Sequence, residues 1–133
     1  MFQEDFWMDL KTIPEVATFT GGRVFSGVAP KEFTKEGQFV TFTSVSNGLP
    51  ELHFGGDKGK TTHIMQVDIY STDYGVSQTV AQYVIDHYHG FTGTLNSQTH
   101  IGMCEVIDVR NEIDSVNPAS ILHRAMLTIS FIL

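Results

Sequence analysis

The residues of this 133-residue chain whose types could do chemistry are six histidines, a single cysteine and a lysine-bearing glycine segment. The segment Gly55-Gly56-Asp57-Lys58-Gly59-Lys60-Thr61-Thr62 has the composition of a phosphate-cradling loop. That loop requires a glycine, four intervening residues and then the Gly-Lys-Thr step, and position 54, where the first glycine would stand, is Phe. A strand pattern follows instead of the helix whose first N–H groups would complete the cradle, so the segment reads as a hairpin tip. His87 and His89 lie two apart near the end of a helical pattern. Residues i and i+2 of a helix point about 200° apart, so the pair would not chelate one ion, and no Cys or carboxylate cluster completes a tetrahedral set. His87 falls on the apolar stripe of that pattern and reads as a core or interface histidine.

Cys104 could be a nucleophile with His100 or His123 as its base, but Met103 and Val106 place it inside a strand, where a lone Cys behaves as a small hydrophobe. Asp108, Glu112 and Asp114 could form an acid/base pair or a solvated edge. No nucleophile, base and orienting group assemble from the pattern, so neither an enzyme, a cofactor nor a metal centre is expected.

The elements that would hold these residues follow from periodicity. Phe6, Leu10 and Ile13 recur at helical spacing from Gln3 to Ile13, and Pro14 is expected to stop that helix. Thr20-Gly21-Gly22 is a turn into a brief strand at Arg23–Val28. Phe39–Val45 alternates with Val40 and Phe42 on one face, and His63–Tyr70 alternates with Met65, Val67 and Ile69 inward; the two should pair across the long connection 46–62. Ser71-Thr72-Asp73 supplies capping side chains to a helix whose buried stripe is predicted as Val76, Val80, Tyr83, Val84 and His87, ending at Gly90. A turn-rich stretch covers Phe91–His100. Ile101, Met103, Ile107 and Val109 are expected on one strand face, a loop spans Asn111–Ser120, and the chain closes on an alternating strand from Ile121 to Leu133. The sum is a single α+β domain, residues 1–133, with a mostly antiparallel sheet and helices on one face.

Composition bounds the class. Eight basic against fifteen acidic residues give a net charge of −7, and 41% hydrophobic residues suffice for a core. Such acidity argues against a module that grips duplex DNA by neutralising phosphates. A lone cysteine forms no intrachain disulfide, and the acidic N-terminal residues with no long apolar run lead one to expect neither a signal peptide nor a membrane span. The loops 46–62, 91–100 and 111–120 read as interaction surfaces or as tolerated excursions.

In their order, these segments resemble the tail terminator, or tail completion, family of long-tailed bacteriophages. The likeness runs from about Gly22 to Phe131, through Gly22-Arg23-Val24-Phe25 with Val28-Ala29-Pro30, Phe39-Val40-Thr41-Phe42 and Gln66-Val67-Asp68-Ile69-Tyr70-Ser71 entering the helix at Asp73–Tyr88. It continues through Gly90-Phe91-Thr92-Gly93-Thr94-Leu95 and Asn117-Pro118 to Arg124 in the last strand. The chain departs from the family where Gln38 replaces a proline and where Val116-Asn117-Pro118 stands for Tyr-Asp-Pro. The resemblance implies a non-enzymatic homo-oligomeric ring, typically a hexamer, that caps the head-proximal end of the tail tube. Its implied partners are the tail-tube protein and the head–tail connector or stopper, with DNA passing through the lumen unbound. Its implied place is the virion, after assembly in the host cytoplasm. A head-side adaptor is the nearest alternative, and a small-ligand-binding α+β domain a more distant one.

On that reading, His53, Phe54, Asp57, Lys58, Lys60, Phe91, Asn96 and Asn117 are candidate interface residues on the loops. Past Lys60 the chain has two basic residues and seven acidic ones, so this part carries −5 of the −7. Asp68, Glu105, Asp108, Glu112 and Asp114 are candidates for an acidic lumen that repels phosphates, or alternatively for a solvated outer surface.

Overall fold

Glu4 and Asp5 in the first turn and Lys11 in the last complement the dipole of helix α1 (Phe2–Thr12), and Phe6 and Leu10, one turn apart, are its fully buried residues. The computed structural model describes residues 2–27, 38–46, 62–117 and 120–133. Pro14 does more than stop α1, contrary to the expectation above. It opens a second helix, α2 (Pro14–Thr20), at a first-turn position where its missing N–H costs nothing, and Gly21 closes that helix at φ 61°.

Strands β1 (Val24–Ser26), β2 (Gln38–Ser46) and β3 (Thr62–Ser71) precede helix α3 (Tyr74–Tyr88); β4 (Gly93–Leu95), β5 (Thr99–Ile101), β6 (Met103–Asn117) and β7 (Ser120–Ile132) follow it. Five of them form one sheet in the order β1-β2-β3-β7-β6, and β4-β5 form a separate hairpin. Only β1 and β2 pair in parallel; the other pairs of the sheet are antiparallel. The α+β architecture expected from the sequence is therefore present.

Register lines up the apolar side chains in rows across the sheet. Val40, Ile69 and Ala125 form one row, Phe42, Val67 and Leu127 the next, and Met65 with Ile129 a third. All are buried and belong to one core cluster with α1, α2 and α3. Phe6 is its hub, with its ring centroid 5.3–5.5 Å from those of Phe42, Tyr88 and Phe131.

Asp73 caps α3 by accepting from the Val76 N–H at 3.2 Å, and Gly90 follows the helix at φ 81°, as the pattern suggested. The buried row of α3 runs through Ser77, Val80, Ala81, Val84 and Tyr88. Tyr83 and His87 are exposed, so the predicted stripe was rotated toward solvent at its C-terminal end. Two further expectations are corrected. Phe91–His100 contains the β4-β5 hairpin, turned by Asn96 and Ser97 at φ 48° and 57°. Asn111–Ser120 is no open loop, because β6 continues to Asn117 and pairs with β7 up to Ser120.

Candidate assembly surface

Several of the chemistry-bearing side chains are engaged in structural bonds. Asp9 on α1 accepts from the Tyr88 hydroxyl at 2.7 Å and lies 3.0 Å from His87 Nε2, tying α1 to the end of α3. Burial, then the Asp9 carboxylate, raises the Tyr88 hydroxyl well above the usual phenol range. The same two causes push the Cys104 thiol up to about 12, so it is held as a thiol and not as a nucleophilic thiolate. His89 Nδ1 accepts from the Val106 N–H at 3.1 Å. His63 stacks on Phe2 at 4.6 Å, and burial biases it toward its neutral form. Among the described residues, no three His, Cys, Asp or Glu side chains converge on a metal-sized site. No helix among them is long and apolar enough to cross a membrane.

The candidate interface residues separate. His53, Phe54, Asp57, Lys58 and Lys60 lie outside the described residues, as do residues 55–61 of the glycine segment. Phe91 is half-buried, its ring 6.0 Å from His87 and 6.5 Å from Tyr88. Asn96 is exposed at the hairpin turn, and its amide donates to Asp5 at 3.5 Å. Thr99 donates to the same carboxylate. Asp5 is thereby buried with partners, and the Thr99 hydrogen bond, ahead of burial, which opposes it, lowers its pKa. Asn117 ends β6, paired with Ser120.

The acidic candidates separate too. Asp68 is 4% exposed and sits 3.1 Å from Arg124, so its charge is balanced within the sheet and withdrawn from solvent. Gln66 also donates to it. Arg124 in turn lies over the Tyr70 ring at 5.5 Å and 3.9 Å from Glu112. Glu105, Asp108 and Glu112 sit beside Ser130, Thr128 and Arg124 on the sheet face away from the helices, with Arg110 2.8 Å from Asp108. Asp114 lies in β6 opposite Leu122.

What the sequence pattern missed is the exposed apolar set on β6. Val106 pairs with Ile129 and Asp108 with Thr128, so Ile107 is an extra residue and the strand bulges there. The bulge breaks the alternation that had placed Met103, Ile107 and Val109 on one inward face. Cys104 is buried instead, while Met103, Ile107, Val109 and Ile113 are exposed. The available signal was the interruption at Glu105 followed by the adjacent Val106-Ile107 pair. A second apolar surface is an open groove of about 390 Å³ at the far end of the sheet, lined by Trp7, Val24, Phe25 and Phe42 with Gln3, Glu4 and Ser26.

No protein-family model matches the chain, and no curated protein matches it. Solved structures do match. One shares 15% identity over 98% of this chain and 92% of its own, at a TM-score of 0.65. It comes from the virion of a native gene transfer agent particle. A second solved chain is 9% identical over 98% of this chain and 95% of its own, at a TM-score of 0.57. At these identities the likeness is one of fold, running from end to end of both neighbours.

Proposed function

We propose that this protein is a structural virion protein that closes into a ring on the head-proximal end of a phage-type tail tube, ends tube growth and joins the tail to the head connector. The observation that carries this reading is the match along nearly the whole chain to a component of a gene transfer agent virion. The interior agrees with it. Asp9, His87 and Tyr88 are spent on internal bonds, and the lone cysteine is buried and held as a thiol. What remains outward are apolar and acidic strand surfaces, the material of contacts with other subunits. Closure into a ring needs a head-to-tail contact between unlike surfaces, and the β6 end and the Trp7 groove are unlike surfaces at opposite ends of one sheet.

In this assembly Glu105, Asp108, Glu112 and Asp114 face the lumen, where like charge keeps the genome from adhering. Asp68 contributes no free charge there, because Arg124 balances it. Electron microscopy of polymerising tail tubes tests the proposal. Added protein should give tubes of limited length, each with an extra ring at one end. Tubes that grow on uncapped sink it, and binding to isolated head connectors alone would favour the adaptor role. Reversing Glu105 and Glu112 to Lys should leave capping intact and slow DNA exit.

A further inference from the structure

The two edges of the main sheet are finished differently. At β1, the Trp7 indole donates to the Val24 carbonyl at 2.9 Å, covering a strand of only three residues. At β6, the first residues are covered as well: Gly90 donates to the Cys104 carbonyl at 2.8 Å, and Val106 donates to His89. Past the bulge no backbone bond from another element reaches the outer edge among the described residues, and β6 runs on to Asn117. That stretch is roughly 35 Å of strand edge. It contains no proline and no lysine, and its charges, Asp108, Arg110, Glu112 and Asp114, are of both signs, so a second copy can pair with them.

We infer that this open edge binds the same edge of a second copy, in antiparallel register about a two-fold axis at Asn111, joining the two sheets into one. The occupant follows from the molecule itself. Of the two described edges of the main sheet, β1 is short and covered, so the matching open edge there is another β6. Backbone phase requires a pivot centred on a residue, and side-chain chemistry favours Asn111 over Arg110. Val109, Asn111 and Ile113 lie opposite Leu127, Ala125 and His123, and the bulge turns their N–H and C=O groups outward. A pivot at Asn111 therefore puts outward groups against outward groups. It sets Val109 beside the second copy's Ile113 on the helix side, covering two exposed apolar side chains from each copy. On the other face it sets Arg110 beside the second copy's Glu112, twice by symmetry. A pivot at Arg110 would instead bring the two arginines together and Asp108 against Glu112. The chosen register also sets Asp108 against Asp114, an unfavourable meeting that Arg110, 2.8 Å from Asp108, offsets.

This contact is isologous, whereas the ring proposed above needs a heterologous one, so the dimer is a state of the free protein and stands independently of the tail role. Sedimentation equilibrium of the full chain, from micromolar to several hundred micromolar, tests it. Dimers are expected. Arg110→Glu should weaken the dimer about tenfold or more, since two attractive cross-strand pairs become repulsive, and adding Glu112→Arg should restore it. Ile113→Lys should weaken it as well, with the far-UV circular dichroism unchanged. Monomers at every concentration overturn the inference. So does a dimer indifferent to Arg110→Glu, or a double variant no tighter than the single, whatever the outcome of the tube-capping experiment.

Discussion

The two faces of the main sheet are built from the same strands in the same register, yet they are held by different physics. One residue apart, the row Val40-Ile69-Ala125 is fully buried beneath the helices, while the row Thr41-Asp68-Met126 belongs to the face away from them. On the first face cohesion comes from apolar area and ring packing, which is non-directional. On the second it comes from directed polar contacts: Arg124 to Asp68, Gln66 to Asp68 and Phe39 stacked on Tyr70 at 4.6 Å. A period-2 pattern lets one strand serve both without compromise. The helix-side face therefore holds most of the apolar core, and the other face holds the charged residues.

The largest test of that division is Phe6→Ala. Removing the hub ring leaves a cavity among Phe42, Tyr88 and Phe131, and denaturant unfolding should show a loss of about 3–5 kcal/mol. If the loss were below about 1 kcal/mol, the aromatic cluster would not be the keystone of the helix side. The counterpart on the second face is Arg124→Leu, which leaves Asp68 buried without its cation. A loss of about 2–4 kcal/mol is expected, below the full value for a deeply buried pair because Arg124 is partly exposed. The double variant Arg124→Leu with Asp68→Asn should recover much of it, since no unpaired charge then remains. Should the double variant be as unstable as the single one, packing and not charge would hold this face.

How much of this was legible in the sequence depends on the face. The inward residues of β2, β3 and β7 were read correctly because a half-buried antiparallel strand alternates strictly, and Met65, Val67, Ile69, Leu127 and Ile129 do so. Leu122 was not, since it is an apolar residue on the helix-free side of the alternation, where it packs with Phe39. The second helix was hidden because a proline ends one helix and starts another with equal ease. In α3 the periodicity points to Tyr83 and His87 as well as to the buried row, because neighbouring rows share Val80 and Val84. The acidic set could be named but not sorted: that Arg124 neutralises Asp68 depends on strand pairing across more than fifty positions of sequence. The β6 bulge breaks the phase between Met103 and Val109 and leaves Ile107 unpaired, while Val109 and Ile113 stay on the helix side, exposed on the edge strand.

Cys104 offers an intermediate test on the helix side. With its pKa pushed up to about 12 and its side chain buried, it should resist alkylation at pH 8 in the native protein and react readily once denatured. Fast labelling of the native state would mean that β6 detaches from the core at its covered end, where Gly90 and His89 hold it.

The smallest expected effect lies at the seam between α1 and the β4-β5 hairpin, outside both faces. The Thr99 hydrogen bond, ahead of the opposing effect of burial, lowers the Asp5 pKa from an ordinary 3.8. A carboxyl whose folded pKa is depressed stabilises the fold above its unfolded value, and that contribution disappears as pH falls through the lower folded value. Stability should therefore decline on acidification below about pH 4 by a component that depends on Thr99. Thr99→Val should flatten that component while leaving the stability gained from Phe6 untouched, and urea unfolding between pH 2 and 6 reads both at once. An unchanged acid slope in the variant would assign the acid sensitivity to other carboxylates.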